Sequence, residues 1–245
     1  MTTNAIQNLL NAACNPYRQA GRFAWHFAQG KLGRDPVFKG MLQRGLLPKR
    51  DGGIRVLDIG CGQGLLTSWL LSAQAQYEKG EWPAGWLAAP AIAKVHGIEL
   101  MPRDVERARA ALHAAGERAT FEVGNMCTVT FPASDAVVIL DVLHYVDFAA
   151  QDDVLRRVHA CLQDNGVLLL RVGDAAGGLP FKISNWVDNV VTSIRGHKTL
   201  PTFCRTIADW QRDIAAIGFA VEAMPMHEGT PFANILLVCR KKGGA

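Results

Sequence analysis

Three acidic residues lie within or just after short apolar runs of the sequence. A carboxylate at such a position can bind a ligand. Asp58 lies in the run that begins at Val56, Glu99 closes a second run, and Asp141 directly follows a third. Apolar runs of this length are typical of buried strands in a parallel sheet. Such sheets bind ligands across the carboxyl ends of their strands. The three carboxylates are therefore expected to lie at one ligand-binding edge.

Alternating glycines follow Asp58 in the stretch 56–64, whose sequence is VLDIGCGQG. Gly60, Gly62 and Gly64 let the backbone turn tightly and approach a ligand, because no Cβ stands in the way. The pattern of a helix follows, and the amide groups at its N-terminus point toward the same ligand. Cys61 is small enough for the turn and is expected to lie at the ligand without acting as a nucleophile. The stretch predicts a site for a nucleotide-like cofactor.

The spacing of the glycines distinguishes two such cofactors. A dinucleotide site has the pattern G-x-G-x-x-G, which needs a glycine at position 65, where this chain has leucine. Asp58, two residues before the first glycine, would repel a pyrophosphate but suits a ligand that carries an ammonium and a sulfonium group. S-adenosylmethionine carries both charges, so the sequence favours it over NAD.

With these residues the chain resembles the class I S-adenosylmethionine-dependent methyltransferases, whose first motif has the form D-x-G-x-G-x-G. The segment 97–102, GIELMP, is similar to the second motif of the family. This resemblance assigns Glu99 to the ribose hydroxyls and Leu100 to the same cofactor site. Asn125 and Met126 follow a third predicted strand, where the family places the residues around the adenine. The Asn125 amide suits the adenine edge, and the Met126 thioether suits its face.

The loop after the fourth predicted strand runs from Asp141 to His144 and Tyr145. In the family this loop lies under the methionine part of the cofactor, so the resemblance assigns Asp141 to the methionyl portion. His144 and Tyr145 are then expected to face the substrate. Because imidazole accepts a proton near neutral pH, His144 is a candidate base. The alternative is a histidine that bonds its own loop and packs against the cofactor, and the residues do not distinguish the two.

Seven predicted strands alternate with helices, which is the pattern of a doubly wound α/β sheet. Residues 51–245 are expected to form an S-adenosylmethionine-binding domain with a mostly parallel, Rossmann-like sheet and an inserted helix around 181–195. Residues 1–50 are expected to form an N-terminal helical lid packed on this core. Within that lid, residues 17–26 are predicted to lie on one helix. A fifth strand is predicted at 167–172, after the helix stop Asp-Asn-Gly.

Composition limits the class of protein. The chain has 245 residues, 49% of them hydrophobic, which is enough for one sizeable core. Its net charge of +4 is modest. No apolar stretch reaches the length of a membrane span and no signal-peptide pattern begins the chain, so a cytoplasmic protein is expected. The six cysteines are dispersed without metal-ligand spacing, so neither a metal site nor radical chemistry is expected.

Aromatic and basic side chains of the N-terminal segment are candidates for a lid over the substrate. They are Tyr17, Arg18, Arg22, Trp25 and His26. Either arginine would pair with a substrate carboxylate. The alternative is an amphipathic helix that packs on the sheet. In the inserted helix, Trp186 and its aromatic neighbours favour an apolar or aromatic substrate.

The class of methyl acceptor is narrowed by what the chain lacks. Family members that methylate amino groups of nucleic acids carry N-P-P-Y or D-P-P-Y after the fourth strand, whereas this chain has D-V-L-H there. Nucleic acid is therefore not the expected substrate. A magnesium-dependent catechol mechanism would use an Asp-Asn pair after the fifth strand, where the chain has Gly173-Asp174-Ala175.

The N-terminal segment and the stretch 56–64 together also resemble methyltransferases of bacterial aryl-polyene pigment clusters. This resemblance implies C- or O-methylation of a hydroxyphenyl acid, either free or as a thioester on an acyl carrier protein. His144 would deprotonate the phenol. Two other classes stay open: a catalytically silent methyltransferase-like subunit of a biosynthetic complex, and an NAD-dependent oxidoreductase.

An insertion at 81–90 separates the first motif from Glu99 and contains two tryptophans and two prolines. It is expected to pack back on the body of the protein. The alternative is a contact with a partner or with a membrane surface.

Overall fold

Seven strands form a single sheet at the centre of the protein. In chain order they are β1 (Ile54–Ile59), β2 (Ile92–Glu99), β3 (Ala119–Val123), β4 (Ser134–Leu140), β5 (Leu162–Gly173), β6 (Phe219–Pro225) and β7 (Asn234–Lys241). Their spatial order is β3-β2-β1-β4-β5-β7-β6. The first five strands pair in parallel, and β7 is antiparallel to both β5 and β6. The predicted doubly wound, mostly parallel fold is confirmed.

Helices cover both faces of this sheet in the computed structural model, which describes residues 2–175, 202–226 and 234–243. They are α1 (Thr2–Cys14), α2 (Arg22–Arg34), α3 (Pro36–Gln43), α4 (Leu65–Glu78), α5 (Pro102–Leu112), α6 (Phe148–Cys161) and α7 (Ile207–Ile217). Short 3-10 turns cover Asn15–Arg18, His113–Arg118 and Leu143–Tyr145. Helices α1 to α5 share an apolar core with one face of the sheet, and α6 and α7 share a second core with the other face.

Both faces of the central strands are buried, because helices lie on each. In β4, Val138 belongs to the first core, whereas Val137 and Ile139 belong to the second. Neighbouring side chains of a strand point to opposite faces, so a strand that is covered twice needs apolar residues throughout. This explains the continuous apolar runs that precede the candidate carboxylates.

The N-terminal helices pack on the core through α4. Leu9 and Ala13 of α1 are fully buried, and the Ser68 hydroxyl of α4 donates a 2.7 Å hydrogen bond to the Ala13 carbonyl. The Trp69 indole N–H, also on α4, donates to the Phe38 carbonyl of α3 at 2.9 Å. Buried hydrogen bonds of this kind keep the polar groups satisfied inside an apolar interface.

Two local predictions were wrong. Residues 17–26 do not form one helix, because Gly21 has a φ of 104° and separates a 3-10 turn from α2, which begins at Arg22. The fifth strand begins at Leu162 instead of 167, because α6 ends at Cys161 and Leu162 already pairs with Ser134 of β4. The predicted helix stop is instead an irregularity of the strand.

The 81–90 insertion packs back on the body of the protein, as expected. The Trp82 and Trp86 rings meet edge to face, with centroids 5.6 Å apart, and both pack against the first core. The Trp82 indole N–H donates to the Leu87 carbonyl at 2.8 Å. Leu87 lies against Gly45, where a Cβ would come within 2.6 Å of its side chain.

Within the described ranges, no helix combines the length and the apolar character needed to cross a membrane. In the same ranges, no group of three or more His, Cys, Asp or Glu residues could hold a metal ion.

Candidate cofactor site and reaction centre

The loop after β1, residues 60–64, is called the glycine loop. Its shape depends on glycines whose backbone lies in the left-handed region. Gly60, Gly62 and Gly64 have φ values of 75°, 53° and 74°. A Cβ on Gly60 would lie 2.6 Å from Val142, and one on Gly64 would lie 2.9 Å from the Phe121 ring. Larger residues would therefore strain the backbone and clash with both neighbours. Gly64 also precedes α4, so the free amides of the first helical turn face this loop.

Glu99 at the end of β2 closes this loop from the neighbouring strand. Its Oε2 accepts a hydrogen bond from the Gly62 amide at 2.9 Å, and its Oε1 accepts one from the Met101 amide at 3.0 Å. A carboxylate has about four lone-pair sites, so each oxygen retains one for a further donor. Glu99 can thus hold the glycine loop and bind two ligand hydroxyls at the same time.

Asp58 is buried on β1, between Gly97 of β2 and Val138 of β4, with 4% of its surface exposed. It makes no ion pair with any residue that the structure describes. Burial raises its pKa to about 8, and the negative charge of Glu99 adds to this rise. A buried carboxylate that lacks a counter-charge is suited to a cationic ligand, which fits the charges of S-adenosylmethionine.

Exposed apolar side chains flank Glu99 at the carboxyl ends of β2 and β3. Leu100 is 59% exposed and Val123 is 49% exposed, which gives an aromatic ring a surface to lie on. Asn125 is also exposed; its Oδ1 accepts a hydrogen bond from the Cys127 amide at 2.9 Å. Met126 packs partly buried against the second core. Val123 is not among the residues predicted from the sequence, although its position at the end of β3 was a usable signal.

Asp141 lies at the carboxyl end of β4 and has a φ of 60°. Its carboxylate accepts a hydrogen bond from Arg171 Nε at 2.8 Å, and Lys31 Nζ lies 3.7 Å from its Oδ2. Sequence reasoning missed both partners and the neighbouring Asp35. The one usable signal was an arginine inside the apolar run of β5, because arginine is rarely buried unless it is paired. The assignment of Asp141 to the methionyl portion stays a prediction.

His144 lies in the 3-10 turn that follows Asp141. Its ring contacts the Tyr145 ring with centroids 4.2 Å apart, and its carbonyl accepts a hydrogen bond from the Phe203 amide at 2.9 Å. Burial lowers the pKa of His144, and the nearby Asp141 charge opposes this shift. The imidazole is therefore neutral at pH 7, which is the form that a general base needs.

Tyr17 joins the N-terminal segment to the glycine loop. Its side chain is fully buried, and its hydroxyl donates to the Gln63 carbonyl at 3.0 Å. Burial raises the pKa of Tyr17 well above its usual value, and the nearby Cys61 and Asp58 add to the rise. The phenol is therefore a neutral donor at any ordinary pH. The Gln63 side chain is buried as well, and neither of its amide atoms bonds to a described residue.

The segment that contains these groups matches a known family. Residues 57–168, which run from β1 into β5, match a family model described as a methyltransferase domain. This part of the chain therefore resembles a methyltransferase domain. The glycine loop, Asp58, Glu99, Asp141 and His144 all lie inside the matched residues. No curated protein matches the sequence.

Solved structures share the fold of this chain. The pyocyanin biosynthetic protein PhzM is 19% identical, with a TM-score of 0.60, over 90% of this chain and 57% of that chain. An O-methyltransferase family 2 protein from Planctomyces limnophilus, in complex with apigenin, is 16% identical, with a TM-score of 0.61. The match covers 98% of this chain and 65% of that chain. Magnesium protoporphyrin IX methyltransferase from Synechocystis, with bound SAH, is 18% identical, with a TM-score of 0.57, over 99% and 100%. The chain thus spans less than two thirds of the first two.

The other residues predicted for the N-terminal lid lie in the first turns of α2 and in the 3-10 turn before it. The Arg18 guanidinium lies over the Trp25 ring at 4.6 Å, and the Trp25 ring lies 4.7 Å from the His26 ring. Arg18, Arg22 and His26 are exposed at the surface of the protein. The structure thus groups Arg18, Trp25 and His26, while Tyr17 is buried against the glycine loop. Trp186 and the helix predicted around it lie outside the described residues.

The Tyr17→Phe substitution tests the contact between the N-terminal segment and the glycine loop. Loss of the hydroxyl leaves the buried Gln63 carbonyl without its donor, which costs about 1 kcal/mol and should weaken S-adenosylhomocysteine binding about fivefold. Calorimetric titration measures this change. Tyr77→Phe is the matched control, because Tyr77 lies at the surface against Trp82. Equal affinities of both variants would contradict a role for Tyr17 in shaping the loop.

Proposed function

We propose that this protein transfers a methyl group from S-adenosylmethionine to a small aromatic acceptor. The observation that carries the proposal is the buried Asp58, which has no counter-charge among the described residues and lies beside a glycine loop that Glu99 closes. All of these groups belong to a segment that matches a methyltransferase family model. A site for a neutral or anionic ligand would not need a buried carboxylate without a counter-charge.

Each part of the cofactor has a matching group in the chain. Asp58 supplies negative charge for the cationic methionyl portion, with Asp141 assigned to the same portion. Glu99 has lone pairs for the ribose hydroxyls beyond its two backbone bonds. Leu100 and Val123 offer apolar surface to the adenine, and the Asn125 amide is the group assigned to its edge.

The chemistry that the cofactor supplies is a methyl group on a sulfonium, which an acceptor atom attacks in line. With the cofactor bound, the new bond to the acceptor would replace the sulfur–methyl bond, and the cofactor would leave as a neutral thioether. The chain contributes alignment and exclusion of water. A phenol also has to lose its proton, and the neutral imidazole of His144 is the group assigned to accept it.

A hydroxyphenyl acid, free or held as a thioester on an acyl carrier protein, is the acceptor that we propose, in aryl-polyene-type metabolism. The resemblance of the N-terminal segment and the glycine stretch supports it, and so do the aromatic side chains near α2. One structural neighbour was solved in complex with apigenin. Arg18 and Arg22 are exposed cations that would meet an acidic substrate or carrier.

The first experiment titrates the protein with S-adenosylmethionine, S-adenosylhomocysteine and NAD. Micromolar binding of the first two without NAD binding is the expected result. Transfer of labelled methyl groups to hydroxyphenyl acids and to their carrier thioesters then tests the acceptor. Binding of NAD alone would overturn the proposal in favour of an oxidoreductase. Cofactor binding without transfer to any acceptor would favour the silent subunit.

The His144→Gln substitution tests the proton-transfer role. A general base contributes about 100-fold or more, so kcat should fall by at least that factor while S-adenosylhomocysteine affinity changes little. Because burial lowers the His144 pKa below 6.5, the wild-type kcat at saturating cofactor should hold at pH 7 and fall only at lower pH, as the imidazole takes up a proton. Methyl-transfer rates between pH 5 and 8 measure both effects. A rate within twofold of wild type would identify His144 as a structural residue.

A further inference from the structure

Arg171 is an arginine inside β5, with 1% of its surface exposed, and it joins two aspartates from distant parts of the chain. Nη1 donates to Asp35 Oδ1 at 2.5 Å, and Nη2 donates to Asp35 Oδ2 at 2.8 Å. Nε donates to Asp141 Oδ1 at 2.8 Å, and Nη2 also donates to Asp141 Oδ2. The planar guanidinium thus binds two carboxylates, each through two oxygens.

Lys31 completes this group, which we call the Arg171 cluster: Lys31, Asp35, Asp141 and Arg171. Lys31 Nζ lies 2.8 Å from Asp35 Oδ2 and 3.7 Å from Asp141 Oδ2. Two positive and two negative charges balance. Although burial acts to raise the pKa of both carboxyl groups, the Arg171 and Lys31 charges keep it below the usual range. Both carboxyl groups are therefore ionised at neutral pH.

One end of the Arg171 cluster holds the N-terminal helices. Asp35 lies between α2 and α3, and its carboxylate also accepts a hydrogen bond from the Val37 amide at 3.1 Å. It is the N-cap of α3, so the direction in which α3 starts depends on this side chain. Lys31 adds a second anchor in the last turn of α2.

The other end of the cluster holds Asp141, the first residue of the loop 141–146. Asp141 has a left-handed backbone, which costs a non-glycine residue of the order of 1–2 kcal/mol and persists only where neighbours hold it. Besides the side-chain pair, its amide donates to the Arg171 carbonyl at 3.3 Å. The next residue, Val142, lies directly against Gly60 of the glycine loop. His144 follows two residues later.

We infer that the Arg171 cluster is a positioning device that couples the N-terminal helices to the loop 141–146. Asp35 and Arg171 hold the turn at Asp141, and this turn sets Val142 against the glycine loop and fixes where the 3-10 turn that contains His144 begins. Its role in catalysis rests on the proposed function. Stability alone is a weak reason for such a group, because a buried ion cluster adds little net stability over apolar packing.

The test uses Asp35→Asn, which removes one charge while asparagine keeps the N-cap of α3. Asp135→Asn is the matched control. Asp135 is a buried aspartate at the opposite end of β4, and it accepts hydrogen bonds from the Arg55 amide at 2.9 Å and the Arg55 side chain at 3.2 Å. Both variants remove the negative charge that faces an arginine, so both should lower the melting temperature. Only Asp35→Asn should affect the distant loop.

The deciding readout is amide hydrogen exchange of residues 141–146, measured without cofactor. About tenfold faster exchange is expected in Asp35→Asn, with no change in Asp135→Asn. Asp141→Asn keeps a residue that tolerates the left-handed turn, and adding Asp35→Asn to it should change loop exchange little further. Faster exchange confined to residues 22–43, or equal effects in the control, would overturn the inference.

Activity gives an independent second readout. Asp35→Asn should lower kcat about tenfold more than it weakens S-adenosylhomocysteine binding, because Asp58, Glu99 and Leu100, which are proposed to make most of the cofactor contacts, lie outside the loop that loses order. An equal loss in kcat and affinity would overturn the coupling to catalysis. If the wild-type protein fails to bind S-adenosylhomocysteine, the proposed function is rejected. The coupling is then still decided by hydrogen exchange, because that measurement needs no ligand.

Discussion

Replacing Glu99 by alanine is expected to weaken S-adenosylmethionine binding at least 100-fold. Two hydrogen bonds from ribose hydroxyls to a carboxylate contribute together about 3 kcal/mol, and about 1.4 kcal/mol corresponds to a factor of ten. The variant also frees the Gly62 amide, which Glu99 binds at 2.9 Å, so the glycine loop loses a contact that shapes it. The effect should exceed that of any N-terminal substitution, because Glu99 serves both the ligand and the loop.

Calorimetric titration with S-adenosylhomocysteine measures this loss, since that ligand is stable and keeps the ribose. Glu122→Ala is the control: Glu122 lies on the adjacent strand β3, and its carboxylate is 3.5 Å from His96 Nε2 at the surface. Glu99→Gln should give an intermediate affinity, because the amide keeps one acceptor oxygen. A loss below threefold in Glu99→Ala would exclude Glu99 from the ribose site.

The affinity for the cofactor is expected to fall about 50-fold between pH 8 and pH 6. Asp58 has a pKa of about 8 in the unliganded protein, so half of it is ionised at pH 8 and about 1% at pH 6. A cationic ligand stabilises the carboxylate, so binding requires the ionised form and releases a proton at neutral pH. Burial of Asp58 is the main cause of this raised pKa, and the Glu99 charge adds to it.

The same carboxyl group makes the unliganded protein less stable as the pH rises. The Asp58 pKa is raised on folding, so its contribution to stability is fully present below about pH 4 and is lost as the pH rises toward 8. Asp35, Asp135 and Asp141 have lowered pKa values, and their contributions are lost only as the pH falls below about 4. The two effects therefore occupy different pH ranges.

Asp58→Asn separates these effects. The variant resembles the protonated form, so its affinity should be low and almost independent of pH between 6 and 8. Its unliganded melting temperature at pH 8 should match or exceed that of the wild type. Titrations and melting curves at pH 6, 7 and 8 measure both quantities. A variant that keeps the 50-fold slope would assign the titration to another group.

The glycine loop and its two carboxylates could be predicted from sequence because they are local. A buried strand, a tight turn and a helix start occupy the single stretch 56–64, and each has a recognisable pattern. Glu99 follows the same rule at the end of the next strand. Parallel strands that are covered on both faces place such ends at one edge, so the apolar runs alone were enough to bring Asp58 and Glu99 together.

Other features depended on the tertiary structure. The Tyr17 hydroxyl meets a carbonyl 46 residues away, and Arg171 pairs with Asp35 across 136 residues and with Asp141 across 30. No periodicity or spacing marks such pairs. The residues 17–26 also failed to form one helix, because a single glycine with a positive φ redirects the chain there.

The sequence by itself therefore determined the sheet, the glycine loop and the carboxylates at its edge, because backbone geometry and apolar patterning act over a few residues. Only the tertiary structure decided which of these carboxylates has a positively charged side chain beside it. Among the described residues Asp58 has no counter-charge, whereas Asp141 is paired with Arg171, although both aspartates belong to similar apolar runs. Coulombic pairing in a buried site depends on distances of a few ångströms, and those are set by the packing of helices distant in the chain.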